Sequence, residues 1–262
     1  MSKQKPLGHL RFLLTNDDGL EAPGLKLLED IASELSDDVW VVAPDSERSG
    51  ASHSISLHNP IRVRKVDERH YAIHGTPTDC VLMAFHELLR DARPTFVLSG
   101  INNGANLGED VSYSGTCAAA MEGTLLGLRS IALSVVRSLT GTARWDAARQ
   151  MLPSLLTTLI QNDDWPPGSF LNINFPDALP HEVTGVRVTQ QGQRPPGAFS
   201  IDARIDARNV PYFWVKISYP EGEKEPDTNL RAIHEGAVSI TPIQLDFTNY
   251  GWKTRLEGLI EK

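Results

Sequence analysis

Cysteine is scarce in this chain: 262 residues contain only Cys80 and Cys117. Two thiols exclude a disulfide framework, and the absence of a CxxC pair or a Cys/His cluster excludes the common zinc and dithiol sites. Both lie among apolar neighbours in segments of helical spacing, the setting of a buried, inert thiol. Basic residues are also in deficit, 25 Lys and Arg against 33 Asp and Glu, for a net charge of −8. That acidity works against broad binding to a nucleic acid duplex or an anionic membrane. It does not exclude a small anionic ligand, because local cations and backbone N–H groups can reverse the sign inside one pocket. No apolar run is long enough to span a bilayer. The opening residues, MSKQKPLGHL, carry no apolar h-region, so the sequence reads as a cytoplasmic protein. Internal repeats and low-complexity tracts are absent too. What is there is an ordinary globular composition, 40% hydrophobic and 22% charged, at a length that suits one α/β domain with or without an appended arm.

Apolar runs and helical stretches alternate along the first 190 residues. LRFLLT (10–15), VWVVA (39–43), TFVLSG (95–100), IALSVV and FLNINF read as buried strands, with IRVRKV and HYAIHG as two shorter ones. Between them, 23 to about 35, 78–89, a stretch opening at GTCAAAMEG, and about 144–160 have helical spacing; Pro23 suits a first helical turn. Such alternation predicts a mainly parallel, Rossmann-like sheet with helices on both faces, a core spanning 1–190. Residues 191–262 break the pattern. QGQRPPGAFSIDARIDARN is polar and irregular, PYFWVKISYP reads as a strand, EGEKEPDTN as a charged loop, and AVSITPI as a returning strand. The expectation there is a C-terminal β-hairpin arm and tail, with exposed Tyr212, Phe213 and Trp214 fit for packing on a partner.

Three loops that leave strand carboxyl ends are unusually polar. The first holds Asn16, Asp17 and Asp18, the second Asp45, Ser46, Arg48, Ser49 and Ser52, and the third Asn102, Asn103 and Asn106 among glycines. Parallel α/β sheets bind ligands at that rim. Adjacent carboxylates at the mouth of a buried strand repel each other and are costly to bury, and a divalent cation removes both penalties. The combined carboxylate, hydroxyl and amide oxygens suit Mg²⁺, Mn²⁺ or Ca²⁺. The third loop ends in Ser114, Gly115 and Thr116 before a run of alanines, which makes a helix N-terminus able to face a phosphate. Taken singly, each feature has a plainer reading. DDG fits a capped turn, Ser49 a loop hydroxyl, the Asn/Gly stretch a connector, Arg48 a surface cation, and Thr76 and Thr78 around Pro77 a helix start with Asp79 in its first turn. His53 is placed to assist proton transfer but fits a solvated loop histidine better.

Together the segments LLTNDDG, VVAPDSERSGASHSIS, GTPTDCV, LSGINNGANLG, YSGTCAAAMEG and VSITP resemble, in order, the SurE family (survival protein E) of metal-dependent 5′/3′-nucleotidases. The resemblance implies hydrolysis of nucleoside 5′- and 3′-monophosphates and one divalent ion, Mg²⁺ or Mn²⁺, per subunit. It implies metal ligands at Asp17, Asp18, Ser49 and Asn102, with Asp17 or Asp18 acting in catalysis. Phosphate contacts are implied at Asn106, Ser114, Gly115 and Thr116. A homodimer or homotetramer built partly through the arm is implied as well. Two departures stand out: an extension over Met1 to Leu10, and Thr228-Asn229 where Thr-Asp is expected. The competing reading is a protein that binds metal and nucleotide to regulate, without turnover. A phosphorylatable receiver module fits less well, because the loop that would supply its acceptor carboxylate carries Asn102.

Overall fold

Strand β1 (Arg11–Thr15) sends Phe12 and Leu14 to one face of a sheet and Leu13 to the other, and all three are fully buried. A strand buried on both faces must be covered by helices on both, and that requirement sets the architecture. The computed structural model describes residues 5–138, 141, 143–219, 222 and 224–260. Residues Met1–Gln4 of the N-terminal extension, Pro220 at the end of PYFWVKISYP, and Glu221 and Glu223 of the charged loop lie outside these. The other strands of the main sheet are β2 (Asp38–Pro44), β3 (Arg62–Lys65), β4 (His70–His74), β5 (Phe96–Asn103), β6 (Arg129–Val135), β7 (Ser169–Phe175), β8 (Val186–Val188) and β11 (Val238–Gln244). The order is β3-β4-β2-β1-β5-β6-β7-β11-β8. Strands β4 through β7 of that order run parallel, while β3 and β11 are antiparallel to β4 and β7.

Helix α1 (Pro23–Leu35) turns Leu25, Leu28, Ile31, Ala32 and Leu35 onto the face of Phe12 and Leu14, joined there by α4 (Asp146–Ile160). On the opposite face α2 (Pro77–Met83) and α3 (Gly115–Leu125) pack over Leu13, Val42 and Val97. Thr76 caps α2 in a reciprocal box with Asp79, and the helix continues as a π-helical turn over Ala84–Leu88. Both thiols are buried in these helices. Burial pushes the Cys117 thiol up to about 12, leaving it uncharged and unreactive.

The expectation of a Rossmann-like α/β core with an arm holds, and three details differ. The third polar loop does not begin at Gly100: β5 runs on to Asn103, with a register shift against β6 between Ser99 and Asn102. Gly100 lies at φ +134°, and a Cβ there would meet the Leu133 carbonyl oxygen at 2.3 Å. The stretch read as polar and irregular contains β9 (Phe199–Ile205), paired antiparallel with β10 (Pro211–Ile217) as a separate two-stranded ribbon. After the ribbon, α5 (Asn229–His234) leads into β11, which sits inside the main sheet between β7 and β8, and α6 (Tyr250–Ile260), the last element of the described residues, has no buried residue. No helix among the described residues is long and apolar enough to cross a membrane.

Candidate active site

Strand β1 pairs with β2 on one side and β5 on the other, so the crossovers leaving β1 and β5 diverge. That is the switch point of the sheet, where a crevice opens at the strand carboxyl ends. Asp17 and Asp18 follow β1, the Ser49 loop follows β2, and Asn102 closes β5. A cavity of about 460 Å³ forms there, lined by Asp17, Asp18, Ser49, Asn102, Asn106 and Ser114 among others. Six of the eight residues singled out in the sequence thus share one pocket.

Each is held by local chemistry. Asn16 closes the turn by exchanging bonds with Gly19, accepting its N–H at 3.2 Å and donating to its carbonyl at 2.9 Å. The Asp17 carbonyl accepts from Arg48 N–H at 2.7 Å, which ties the first loop to the second. Ser49 donates its hydroxyl proton to Glu47 at 2.8 Å, leaving its oxygen lone pairs for another partner. Asn102 donates from Nδ2 to the Gly104 carbonyl at 2.7 Å, so its Oδ1 is the atom left for a ligand. The second loop is strapped behind the site: Ser52 donates to Ser112 O at 2.7 Å, and His53 Nε2 meets Glu122 at 2.9 Å. Fully buried Asp79 takes the backbone N–H and hydroxyl of Ser56 at 3.0 and 2.7 Å. His53 lies outside the cavity and braces the loop against α3.

Gly115 and Thr116 stand one layer behind the cavity. The Thr116 hydroxyl donates to Asp17, and its backbone N–H acts on the same carboxylate. A Cβ on Gly115 would come within 2.8 Å of Asp17 Cβ. The first turn of α3 therefore supports the Asp17 carboxylate, while Ser114 caps the helix by accepting from Cys117 N–H at 3.0 Å. Burial raises the Asp17 carboxyl to about 6, the Thr116 bond opposes the rise, and the Asp18 charge adds to it. Burial also raises Asp18, offset by the Asn103 N–H at 3.1 Å and by Arg137 and reinforced by Glu47.

These donors fit a hard divalent cation. They are all oxygens, two of them adjacent carboxylates, and among the described residues no cationic side chain is a cause of the Asp17 shift. Asn103 Oδ1 is buried beside them without a partner. Among the described residues no group of three or more His, Cys, Asp or Glu side chains is arranged to hold a metal, and the further oxygens that line the cavity beside Asp17 and Asp18 include those of Ser49 and Asn102.

Several lining residues escaped the reading of the sequence: Asp110, Tyr113 and Arg137, and Phe199, Val215, Ile217 and Tyr219 from the ribbon and its exit. Arg137 donates to the Asn103 carbonyl at 2.7 Å and brings a positive charge to the pocket. Two more act from behind. Asn172 and Asn174 on β7 both donate to the Asn106 carbonyl, at 2.8 and 3.3 Å, and Asn174 Oδ1 takes the Asn106 N–H. A signal for these existed: two asparagines at alternate positions in the apolar run FLNINF place buried amides on one face of a strand.

Comparison with known proteins points to one family. Residues 12–197 match the family model described as survival protein SurE. A 5′-nucleotidase SurE of Parvibaculum lavamentivorans is 52% identical over 242 residues, covering 92% of this chain and 87% of the relative. Another from Methylobacterium radiotolerans is 50% identical over 252 residues, covering 94% and 97%. The crystal structure of the SurE protein from Aquifex aeolicus superposes with a TM-score of 0.80 at 37% identity, covering 95% of this chain and 99% of that one.

Proposed function

The chain belongs to the survival protein SurE family, and from that premise we propose that it is a 5′-nucleotidase whose hydrolysis of nucleoside 5′-monophosphates depends on a divalent metal. The observation that carries the proposal is the meeting of Asp17, Asp18, Ser49 and Asn102, from three separate strand ends, in one cavity. Those four residues would hold Mg²⁺ or Mn²⁺, one per subunit. The cation supplies Lewis acidity toward a phosphoryl oxygen and acidifies water.

The chain's own groups account for the rest. Asn106 and Ser114 offer polar contacts to the phosphate, and Arg137 offsets its charge. Thr116 and the first turn of α3 keep Asp17 ionised and in place despite its burial. In the reaction the oxygen of water ends on phosphorus, the bond from phosphorus to the 5′-oxygen breaks, and a proton ends on the released nucleoside. Hydrolysis of 3′-monophosphates belongs to the same proposal. So does a homodimer or homotetramer, supported by exposed apolar side chains along the ribbon such as Ile201 and Phe213. A cytoplasmic location is consistent with two buried free thiols.

The test is phosphate release from 5′-AMP and 3′-AMP by the purified protein, with Mg²⁺, with Mn²⁺ and with chelator. Release that needs the cation is expected. Tight nucleotide binding with no release under any divalent ion would leave a regulatory binding protein instead.

A further inference from the structure

One face of the ribbon is wholly apolar, and the other mixes charged side chains with Tyr212 and Trp214. Phe199, Ile201, Ala203, Ile205, Phe213, Val215 and Ile217 share one face by the strand alternation and register, while Asp202 pairs with Arg204 and Lys216 on the other, at 2.8 and 2.9 Å. The apolar face does not end at solvent. At its root, Phe199 and its cross-strand partner Ile217, with Val215, form one side of the active-site cavity. Phe199 meets the ring of Tyr113 edge-on, at 5.1 Å between centroids and 66° between planes. The same cavity therefore has a polar end at Asp17, Asp18 and Asn102 and an apolar wall supplied by the arm.

Both ends of the ribbon are clamped to one carboxylate. Arg194, before β9, donates to Asp110 Oδ2 at 3.0 Å, and Tyr219, after β10, donates to Asp110 Oδ1 at 2.6 Å. The Arg194 guanidinium lies 4.0 Å over the Tyr219 ring. Asn229 Oδ1 takes the N–H of Gly192 at 3.0 Å and so ties down the approach to β9. Asn229 therefore serves the arm root.

We propose that the arm root is the nucleoside wall of the site: the base lies against Phe199, Val215 and Ile217 beside Tyr113, and the Arg194–Asp110–Tyr219 clamp holds that wall in position. This rests on the phosphomonoesterase reading and adds how the substrate is recognised. The wall offers area and aromatic surface. Among the described residues the ribbon lines the cavity with Phe199, Val215 and Ile217, none of which carries a polar side-chain group to read a base edge. Recognition there is by stacking and apolar contact, which every base can satisfy.

Ribose 5-phosphate keeps the sugar and phosphate of AMP and lacks the base, so the ratio of kcat/KM for AMP over ribose 5-phosphate isolates the wall. The ratio also cancels the concentration of active enzyme, so partial misfolding leaves it unmoved. The wild-type protein with Mn²⁺ is expected to favour AMP by about tenfold or more, and Phe199→Ala to lower the ratio by about tenfold. Ile217→Ser carries the same test if Phe199→Ala does not fold. Tyr219→Phe, which removes the clamp bond, is expected to lower the ratio through KM for AMP. A wild-type ratio near one, or a ratio unmoved in both wall variants, overturns the proposal while the phosphatase reading stands. No phosphate from either ester overturns both.

Discussion

Asp17 is 4% exposed and nonetheless sits beside a second carboxylate, which makes its charge costly to keep. Its carboxyl is raised from 3.8 to about 6 by burial, opposed by Thr116 and reinforced by Asp18. Because the folded value lies above the unfolded one, the stability tied to this group is fully present below about pH 4 and is lost as pH rises through 6. In chelator at pH 8, Asp17→Asn should therefore be more stable than wild type, by on the order of 2–3 kcal/mol, and the gap should close near pH 4. Thermal denaturation at the two pH values checks this, and a gap that ignores pH would mean that the ionised carboxylate is not the cost. The same variant, and Asp18→Asn, should lose most phosphate release at saturating cation while keeping the native circular dichroism spectrum. Asn102→Ala should weaken cation affinity less than either, since a neutral oxygen contributes less attraction than a carboxylate. Titration calorimetry with Mn²⁺ ranks the three, and a wild-type affinity for Asn102→Ala would remove it from the shell.

At the scale of elements, loops are positioned by contacts with the helices behind them. The segment carrying Ser49 is exposed at its tip, and its far end is fixed by Asp79 in the first turn of α2, which accepts from Ser56 twice and from Thr76 N–H at 2.8 Å. Asp79→Ala would empty a fully buried position and orphan three donors on half-buried Ser56 and Thr76. A loss of about 3 kcal/mol is expected in urea denaturation, with weaker cation binding because Ser49 is no longer held. Asp79→Asn, which keeps part of the bonding, should fall between. Gly115→Ala tests the other support. A Cβ there would press on Asp17, so the expected loss of kcat should exceed what its change in melting temperature accounts for.

At the scale of the whole molecule, the ribbon projects an apolar face that is exposed along its length. Ile201, Ile205 and Phe213 are 64%, 69% and 64% exposed, a surface of the kind that marks an interface. If a second copy covers it, Ile201→Lys combined with Phe213→Glu should lower the molecular mass in analytical ultracentrifugation to that of one chain. Because the root of the same ribbon walls the cavity, the double variant should also raise KM for AMP. An unchanged mass would assign the face to something other than self-association.

The core and much of the candidate site were legible in the residues themselves. Apolar runs separated by helical spacing dictate a parallel sheet covered on both faces, since strands such as β1 have no polar side to show to water. Doublets and clusters such as Asp17-Asp18 and the Asn102 loop stand out because burying them has no purpose in packing. Other features depend on contacts between residues far apart in sequence. Phe199 lies in a stretch that reads as polar and irregular, and Ile217 in a strand of the arm, and neither is tied to the site until the ribbon folds back and sets them on the cavity with Tyr113. Thr116 read as a phosphate donor until α3 docked its first turn against Asp17. Local spacing determines which elements form and which side chains share a face; only the docking of those elements decides which partner each side chain meets, because that distance is set by packing across the sheet and not by position along the chain.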